Sequence, residues 1–175
     1  MTKQQKLASE SKVVTNQIVL PNETNPLNKL MGGELLHQMD VTAAIAAQRH
    51  SNSIVVTASV DNVSFNHPIG LGNIVTLEAQ VTRSFTSSME VYIKVSSEDI
   101  TTGIKQMTNE AYLTFVAIDG KGNKVQVPQL VPETEQEKDK FASALRRRQL
   151  RLILAGKMKP ENAEELQAIF INREK

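Results

Sequence analysis

The chain has 175 residues, enough for one domain with an appendage and a sizeable core. A hydrophobic fraction of 40%, a charged fraction of 22% and a net charge of +1 fit a globular protein, and they argue against a nucleic-acid binder built on a global positive field. With no cysteine, the sequence excludes disulfides, thiolate nucleophiles and zinc–thiolate sites.

No apolar run reaches the roughly 18 residues of a membrane span. The polar opening of the chain carries no apolar leader, so a cytoplasmic location is expected. Residues 1 to about 11 are polar and are expected to fray. Residues 12–20, with Val13, Val14, Ile18 and Val19, read as a short first strand. Residues 21–28 form a loop rich in Pro and Asn.

That loop runs into Gly32-Gly33 and the stretch on which the rest depends. Between residues 32 and 50, Leu35, Leu36, Met39, Ala43, Ala46 and Ala47 recur at helical spacing. From 41 to 47 almost every side chain is small or apolar, which predicts a helix buried nearly all round and closely approached by other backbone. Between Glu34 and Arg49 the one formal charge is Asp40. A carboxylate there is costly to desolvate unless something pairs with it or uses it. The alternative is a carboxylate on a solvent stripe or bonded to structure. The glycine pair leaves the first amides of the helix bare, and Gly32, Gly33 and Glu34 then offer an oxyanion site at the positive end of the helix dipole.

After His50 the period changes from helical to alternating. Residues 54–65, 74–83, 89–96 and 107–118 read as four long strands, separated by turns at 66–73, at 101–103 and at 119–122. One long helix followed by four such strands predicts an α+β fold, with an antiparallel sheet wrapped around the central helix. Joining two sheets edge to edge would shield the open edges, so an obligate dimer is expected. Past residue 132 the composition turns charged. Thr134 and Glu137 stand at capping-box spacing, Phe141, Leu145 and Leu152 share a stripe, and Gly156 ends that helix. Pro160 starts a second helix running to about residue 172. Both are expected to pack on the sheet or on a neighbouring subunit.

Three histidines remain. His37 shares a helix face with Asp40 and reads either as the partner in an acid–base pair or as a supporting or interface residue. His50 is expected to complement the helix dipole at its C-terminal end. Scattered and without cysteine, these histidines do not make a metal site.

Several stretches in register carry a resemblance. Thr24-Asn25-Pro26-Leu27-Asn28, Gly32-Gly33, Met39-Asp40 and Ala47-Gln48-Arg49-His50 resemble the hotdog-fold acyl-CoA thioesterases. So do residues 56–61 with Phe65, and Ser87-Ser88-Met89-Glu90-Val91. Residues 127–135 resemble the segment closing the hotdog domain of cytosolic acyl-CoA hydrolases. The likeness covers about residues 12–145 and implies a hotdog domain at 12–132, followed by a helical extension at 133–175. It implies a homodimer as the minimal unit, and often a trimer of dimers.

The resemblance also implies hydrolysis of acyl-CoA to a free acid and coenzyme A, with no cofactor beyond the coenzyme A of the substrate. Asp40 matches the carboxylate that acts as general base or nucleophile. Asn25 matches the loop asparagine that works with the aspartate of the partner protomer, and its plainer reading is a turn residue before Pro26. The Gly32-Gly33 turn matches the one whose amides polarise the thioester carbonyl. Ser87 and Ser88 match a position near the pyrophosphate, while Arg49, His67, Arg83 and the run Arg146-Arg147-Arg148 are candidates to contact coenzyme A. Met31 stands where many members have His or Phe, and Val41 where acidic residues are common, which leaves the acyl preference open. Two alternatives stand beside hydrolysis: a hotdog hydratase or dehydratase using His37 and Asp40, and a non-catalytic acyl-CoA-binding regulatory protein.

Overall fold

The computed structural model describes residues 4–61, 63–65 and 67–171; the expectations that fall on residues 1–3, 62, 66 and 172–175 lie outside the described residues. The chain divides into two compact units, one ending at Val131 and the other beginning at Pro132.

The first unit is built on helix α1, Gly32–Ser51. At 1.5 Å per residue its 20 residues span about 30 Å. Leu35, Met39, Ala43 and Ala47 fall four apart on one face, joined by Ala46 and His50, and all six are buried. The helix packs against every strand of a five-stranded antiparallel sheet in the order β2-β4-β5-β6-β3. These strands are β2 (Val13–Ile18), β3 (Ile54–Asp61), β4 (Ile74–Ser84), β5 (Ser88–Glu98) and β6 (Lys105–Ile118). Alternate residues of the three central strands meet the helix. Val75, Leu77, Ala79 and Val81 come from β4, Met89, Val91, Ile93 and Val95 from β5, and Leu113, Phe115 and Ala117 from β6, each at most 1% exposed. Burial of one such large apolar side chain stabilises the fold by about 1.5–3 kcal/mol.

The helix-and-sheet architecture is the one expected, with two local differences. The helix is not buried all round: Val41 is 46% exposed, because a sheet on one side covers only the stripe that faces it. Nor does the N-terminal segment fray where it is described. Strand β1 (Gln5–Leu7) pairs in parallel with β7 (Gln129–Val131). Lys6 Nζ donates to the carbonyl of Arg49 and to Asn52 Oδ1, so a polar side chain satisfies the open carbonyl end of α1. Buried Ser11 completes the attachment by accepting the amide of Val81.

In the second unit, helix α2 (Glu135–Leu154) begins with the capping box: Thr134 Oγ1 accepts the amide of Glu137, and the Glu137 carboxylate accepts the amide of Thr134. A single 3-10 turn at Pro160–Asn162 precedes α3 (Glu164–Ile171), so the proline opens a short tight turn and the α-helix follows it.

His50 is fully buried, and its Nε2 bonds to the carbonyl of Pro128, 3.0 Å away. A ring nitrogen facing a carbonyl must carry the proton, which leaves Nδ1 as an acceptor with no partner among the described residues. Burial holds the imidazole below its ordinary value of 6.5, outweighing the Pro128 bond, with Lys6 lowering it further and Glu10 acting the other way. His50 is therefore neutral at pH 7 and is not the dipole-complementing cation expected from its place in the helix.

Because the unfolded chain takes up this proton at higher pH than the folded one, His50 contributes stability above pH 6.5 that is lost as the pH falls toward its depressed folded value. Urea midpoints measured between pH 7.5 and 5 should fall for the wild type and fall distinctly less for His50→Gln. Parallel slopes would contradict this assignment.

Candidate active site

Asp40 sits on the flank of α1, half-exposed, facing strand β3. Its Oδ1 accepts the hydroxyl of Thr57 at 2.8 Å. Its Oδ2 has no partner among the described residues. A bulge in β3 explains why this wall is assembled as it is. Thr57 pairs with Phe115 and Ser59 with Thr114, so Ala58 is an extra residue. Beyond the bulge Val60 pairs with Leu113 and comes to the helix side, where strict alternation would have placed Ser59. Thr57 and Val60 therefore both face the helix.

Together they border a cavity of about 500 Å³, apolar except for Asp40, Thr57 and His37. Leu113 and Met39, each 1% exposed, form its deep side. Phe65, on the segment after β3, closes it toward the start of the helix. The Phe65 ring lies over Gly32: a Cβ added there would stand 3.3 Å from Cζ and 3.4 Å from Cε1. The cavity thus runs from Asp40 toward the entry of α1.

At that entry the capping position is Met31, which offers no side-chain acceptor, and the amide of Leu35 is the first to bond within the helix, to the carbonyl of Met31. The amides of Gly32, Gly33 and Glu34 are therefore without acceptors among the described residues, at the end of the helix that favours negative charge. They precede Asp40 by six to eight residues, or roughly 9–12 Å along the axis.

Asn25 does not line this cavity. Its Oδ1 accepts the amides of Leu27 and Lys29, at 2.9 and 3.2 Å. It is the turn residue that its place before Pro26 suggested, and those two bonds fix which way the amide group points. With the oxygen held inward by backbone, the Nδ2 hydrogens have no acceptor among the described residues.

His37 borders the Asp40 cavity on one side and a second cavity of about 340 Å³ on the other, next to Glu23, Glu34 and Gln38. No hydrogen bond joins His37 to Asp40; the carboxylate is held by Thr57 instead. A larger, more polar cavity of about 620 Å³ lies beside Lys29, Asn73 and Asp99, but it lacks both the isolated carboxylate and the apolar wall.

The residues expected to contact coenzyme A are not gathered at this cavity. Arg49 lies nine residues past Asp40, about 14 Å along the helix, where its Nη1 donates to the carbonyl of Lys12. Arg83 stands opposite Glu90 in the sheet, its guanidinium 5.9 Å from the centre of the Phe85 ring. Ser87 lies in the β4–β5 turn and Ser88 opens β5, in the same row as Val56 and two strands away, about 10 Å across the sheet. His67 is exposed on the connection leading to β4. Arg147 is engaged by its own helix, donating to Ser143 Oγ and to the carbonyl of Lys140.

Alternation alone hides a bulge, so the sequence does not show that Val60 faces the cavity. Thr57 lies in one of the resembling stretches, but its bond to Asp40 becomes visible only when the strand is set beside the helix.

Residues 27–104 match the model of the thioesterase superfamily. The chain is 46% identical over 136 residues to an uncharacterized acyl-CoA thioester hydrolase of Bacillus subtilis, covering 78% of this chain and 79% of that one. Longer relatives exist: the chain covers a quarter of mouse acyl-coenzyme A thioesterase 11, at 41% identity over 149 residues. Among solved structures, an apo-hexameric acyl-CoA thioesterase superposes with a TM-score of 0.84 at 39% identity, covering 87% of this chain and 97% of that one. An acyl-CoA hydrolase of Staphylococcus aureus, solved with butyryl coenzyme A, coenzyme A and coenzyme A disulfide, gives a TM-score of 0.79 at 38% identity, covering 87% and 94%. That enzyme was also solved with an aspartate, an asparagine or a threonine replaced by alanine. The asparagine precedes the aspartate by 15 residues and the threonine follows it by 17, and Asn25, Asp40 and Thr57 stand at the same two intervals in this chain. On these matches and on its helix-in-sheet architecture, the chain belongs to the hotdog-fold acyl-CoA thioesterases.

Proposed function

We propose that this protein hydrolyses acyl-CoA to the free carboxylic acid and coenzyme A in the cytoplasm. The observation that carries the reading is Asp40, held by the Thr57 hydroxyl at the wall of an apolar cavity that runs toward the bare amides of α1. Thioester hydrolysis needs an activated water or an attacking carboxylate, together with donors aimed at the oxyanion. Asp40 takes a proton from water as the oxygen attacks the thioester carbon, or attacks that carbon itself and is released by water in a second step. In either route the carbonyl oxygen gains charge against the amides of Gly32, Gly33 and Glu34. The C–S bond then breaks, the electron pair leaves on sulfur, and the thiolate takes up a proton. Water, protein groups and the substrate suffice for this chemistry, with coenzyme A as part of substrate and product.

The protein works as a homo-oligomer, with the dimer as its unit and dimers grouped in threes. The hexameric relative supports this assembly, and so does the open edge of β3, whose Ile54, Val56 and Val60 are about half exposed. In the dimer, Asn25 of one protomer meets Asp40 of the other. The Asx turn that fixes its oxygen leaves its Nδ2 free to donate to substrate or water at that site. The coenzyme A phosphates lie outside the apolar cavity, with Arg49, His67, Arg83, Ser87 and Ser88 as their candidate contacts. A hydratase using His37 and Asp40 is disfavoured, since no bond couples the two side chains.

Free-thiol release from saturated acyl-CoA tests the activity, because such a substrate has no double bond to hydrate. Asp40→Asn keeps the shape and removes the charge, and it should lower kcat by about 10²–10⁴-fold without lowering thermal stability. Binding of acyl-CoA without thiol release by the wild type would leave only a binding protein. Asn25 separates its two roles by substitution. Asn25→Ala should cost about 1 kcal/mol of stability through the lost turn bonds. Asn25→Asp keeps the acceptor, so it should retain stability yet lose activity, and mixing Asn25→Asp with Asp40→Asn protomers should restore part of it. No rescue after confirmed subunit exchange would contradict the shared site.

A further inference from the structure

The structure assigns Asn109 the role of a positioning residue: from β6 it holds the 63–65 segment, and with it the Phe65 ring, against the first residue of α1. The inference rests on the thioesterase reading and adds a residue to that same site. Along the helix side of β6, Ala117, Phe115, Leu113 and Ala111 form an apolar row, each at most 3% exposed, and Asn109 ends it. Asn109 is itself buried, at 2% exposed. Its Nδ2 donates to the carbonyl of Ser64. Its Oδ1 is buried with no partner among the described residues. A buried acceptor left unpaired is costly, and a leucine of similar volume would carry no such cost. The carboxamide is therefore a poor choice for packing. What it does provide is the bond to Ser64.

That bond stands where the sheet stops supporting the chain. The pairing of β3 with β6 ends at Asp61 and Tyr112, so Val63, Ser64 and Phe65 lie beyond the last backbone rung. Three residues past that rung, the Asn109 side chain takes a carbonyl that a continuing strand would have given to backbone. The next residue is Phe65, whose ring lies on Gly32. Val63 and Phe65 border the Asp40 cavity, and Gly32 carries one of the amides proposed to meet the oxyanion. Asn109 does not border that cavity, so its influence passes through the Ser64 carbonyl. A misplacement on the order of 1 Å in a supporting group can cost about 10²-fold in rate, so one bond at this place is enough to matter. Ser64 is exposed, and its carbonyl can turn to water once the bond is removed. Losing the bond therefore costs geometry and not stability.

The test is thiol release from acyl-CoA and thermal unfolding for the wild type, Asn109→Leu, Phe65→Ala and the double variant, with oligomeric state measured alongside. Asn109→Leu should lower kcat about tenfold with KM little changed. Its Tm should equal or exceed that of the wild type, because the unpaired acceptor is gone. A lowered Tm, with or without lost activity, would make Asn109 a structural residue and overturn the proposal. So would an unchanged kcat, or a fall in kcat that accompanies loss of the oligomer. Because Asn109 acts through Phe65, adding Asn109→Leu to Phe65→Ala should cost less than about a further twofold. Losses that multiply in full would show two independent residues and contradict the assignment. If no acyl-CoA is hydrolysed, the thioesterase reading fails, and the positioning is decided without activity. The sequence has no tryptophan, so Phe65→Trp sets a single indole over Gly32. Adding Asn109→Leu should increase its quenching by acrylamide at unchanged Tm, and equal quenching would refute the link between Asn109 and the ring.

Discussion

The packing of α1 against the sheet fixes everything at this site. A helix whose inner stripe is Leu35, Met39, Ala43, Ala46 and Ala47 can lie close to the strands, because three of those five side chains are single methyl groups. Close approach brings the flank of the helix within hydrogen-bond reach of β3, and there Asp40 meets Thr57. The same helix begins at Met31 with no side-chain cap. The carboxylate and the hydroxyl that orients it thus result from one packing arrangement, beside a helix whose first amides have no side-chain cap.

Much of this was legible in the sequence, and the reason is periodicity. The helix announces itself by its three-to-four spacing, and β5 by unbroken alternation from Met89 to Val95, all four of whose inner residues are buried. Asp40 stood out because it is the single charge between Glu34 and Arg49. What periodicity cannot carry is an interruption of itself. The extra residue at Ala58 reverses the facing of everything after it in β3, so Val60 came to the cavity unannounced. Nor does local pattern register a strand of three polar-flanked residues such as Gln5–Leu7, whose pairing partner lies more than 120 residues away. The neutral state of His50 belongs to the same class. Its place in the helix suggests a cation, and only the burial around it shows that the charged form is disfavoured.

The basic residues show where a resemblance stops and geometry takes over. Arg49 and Arg83 carry local structural contacts, one to a backbone carbonyl and one over an aromatic ring. Neither borders the Asp40 cavity. The division is chemically sensible: the reacting end of a thioester needs a dry, shaped wall, whereas a nucleotide needs charge in reach of water. In this chain the apolar wall beside Asp40 is built from α1, β3, β6 and the segment after β3.

The central claim is that the thioester carbonyl lies between Asp40 and the opening amides of α1. A crystal structure with a non-hydrolysable ketone analogue of acyl-CoA tests it most directly. The ketone oxygen should lie within hydrogen-bond distance of an amide among Gly32, Gly33 and Glu34, and the Asp40 carboxylate within about 3.5 Å of the carbonyl carbon or one water away. A ketone bound elsewhere, with Asp40 still tied to Thr57 and facing only solvent, would contradict it.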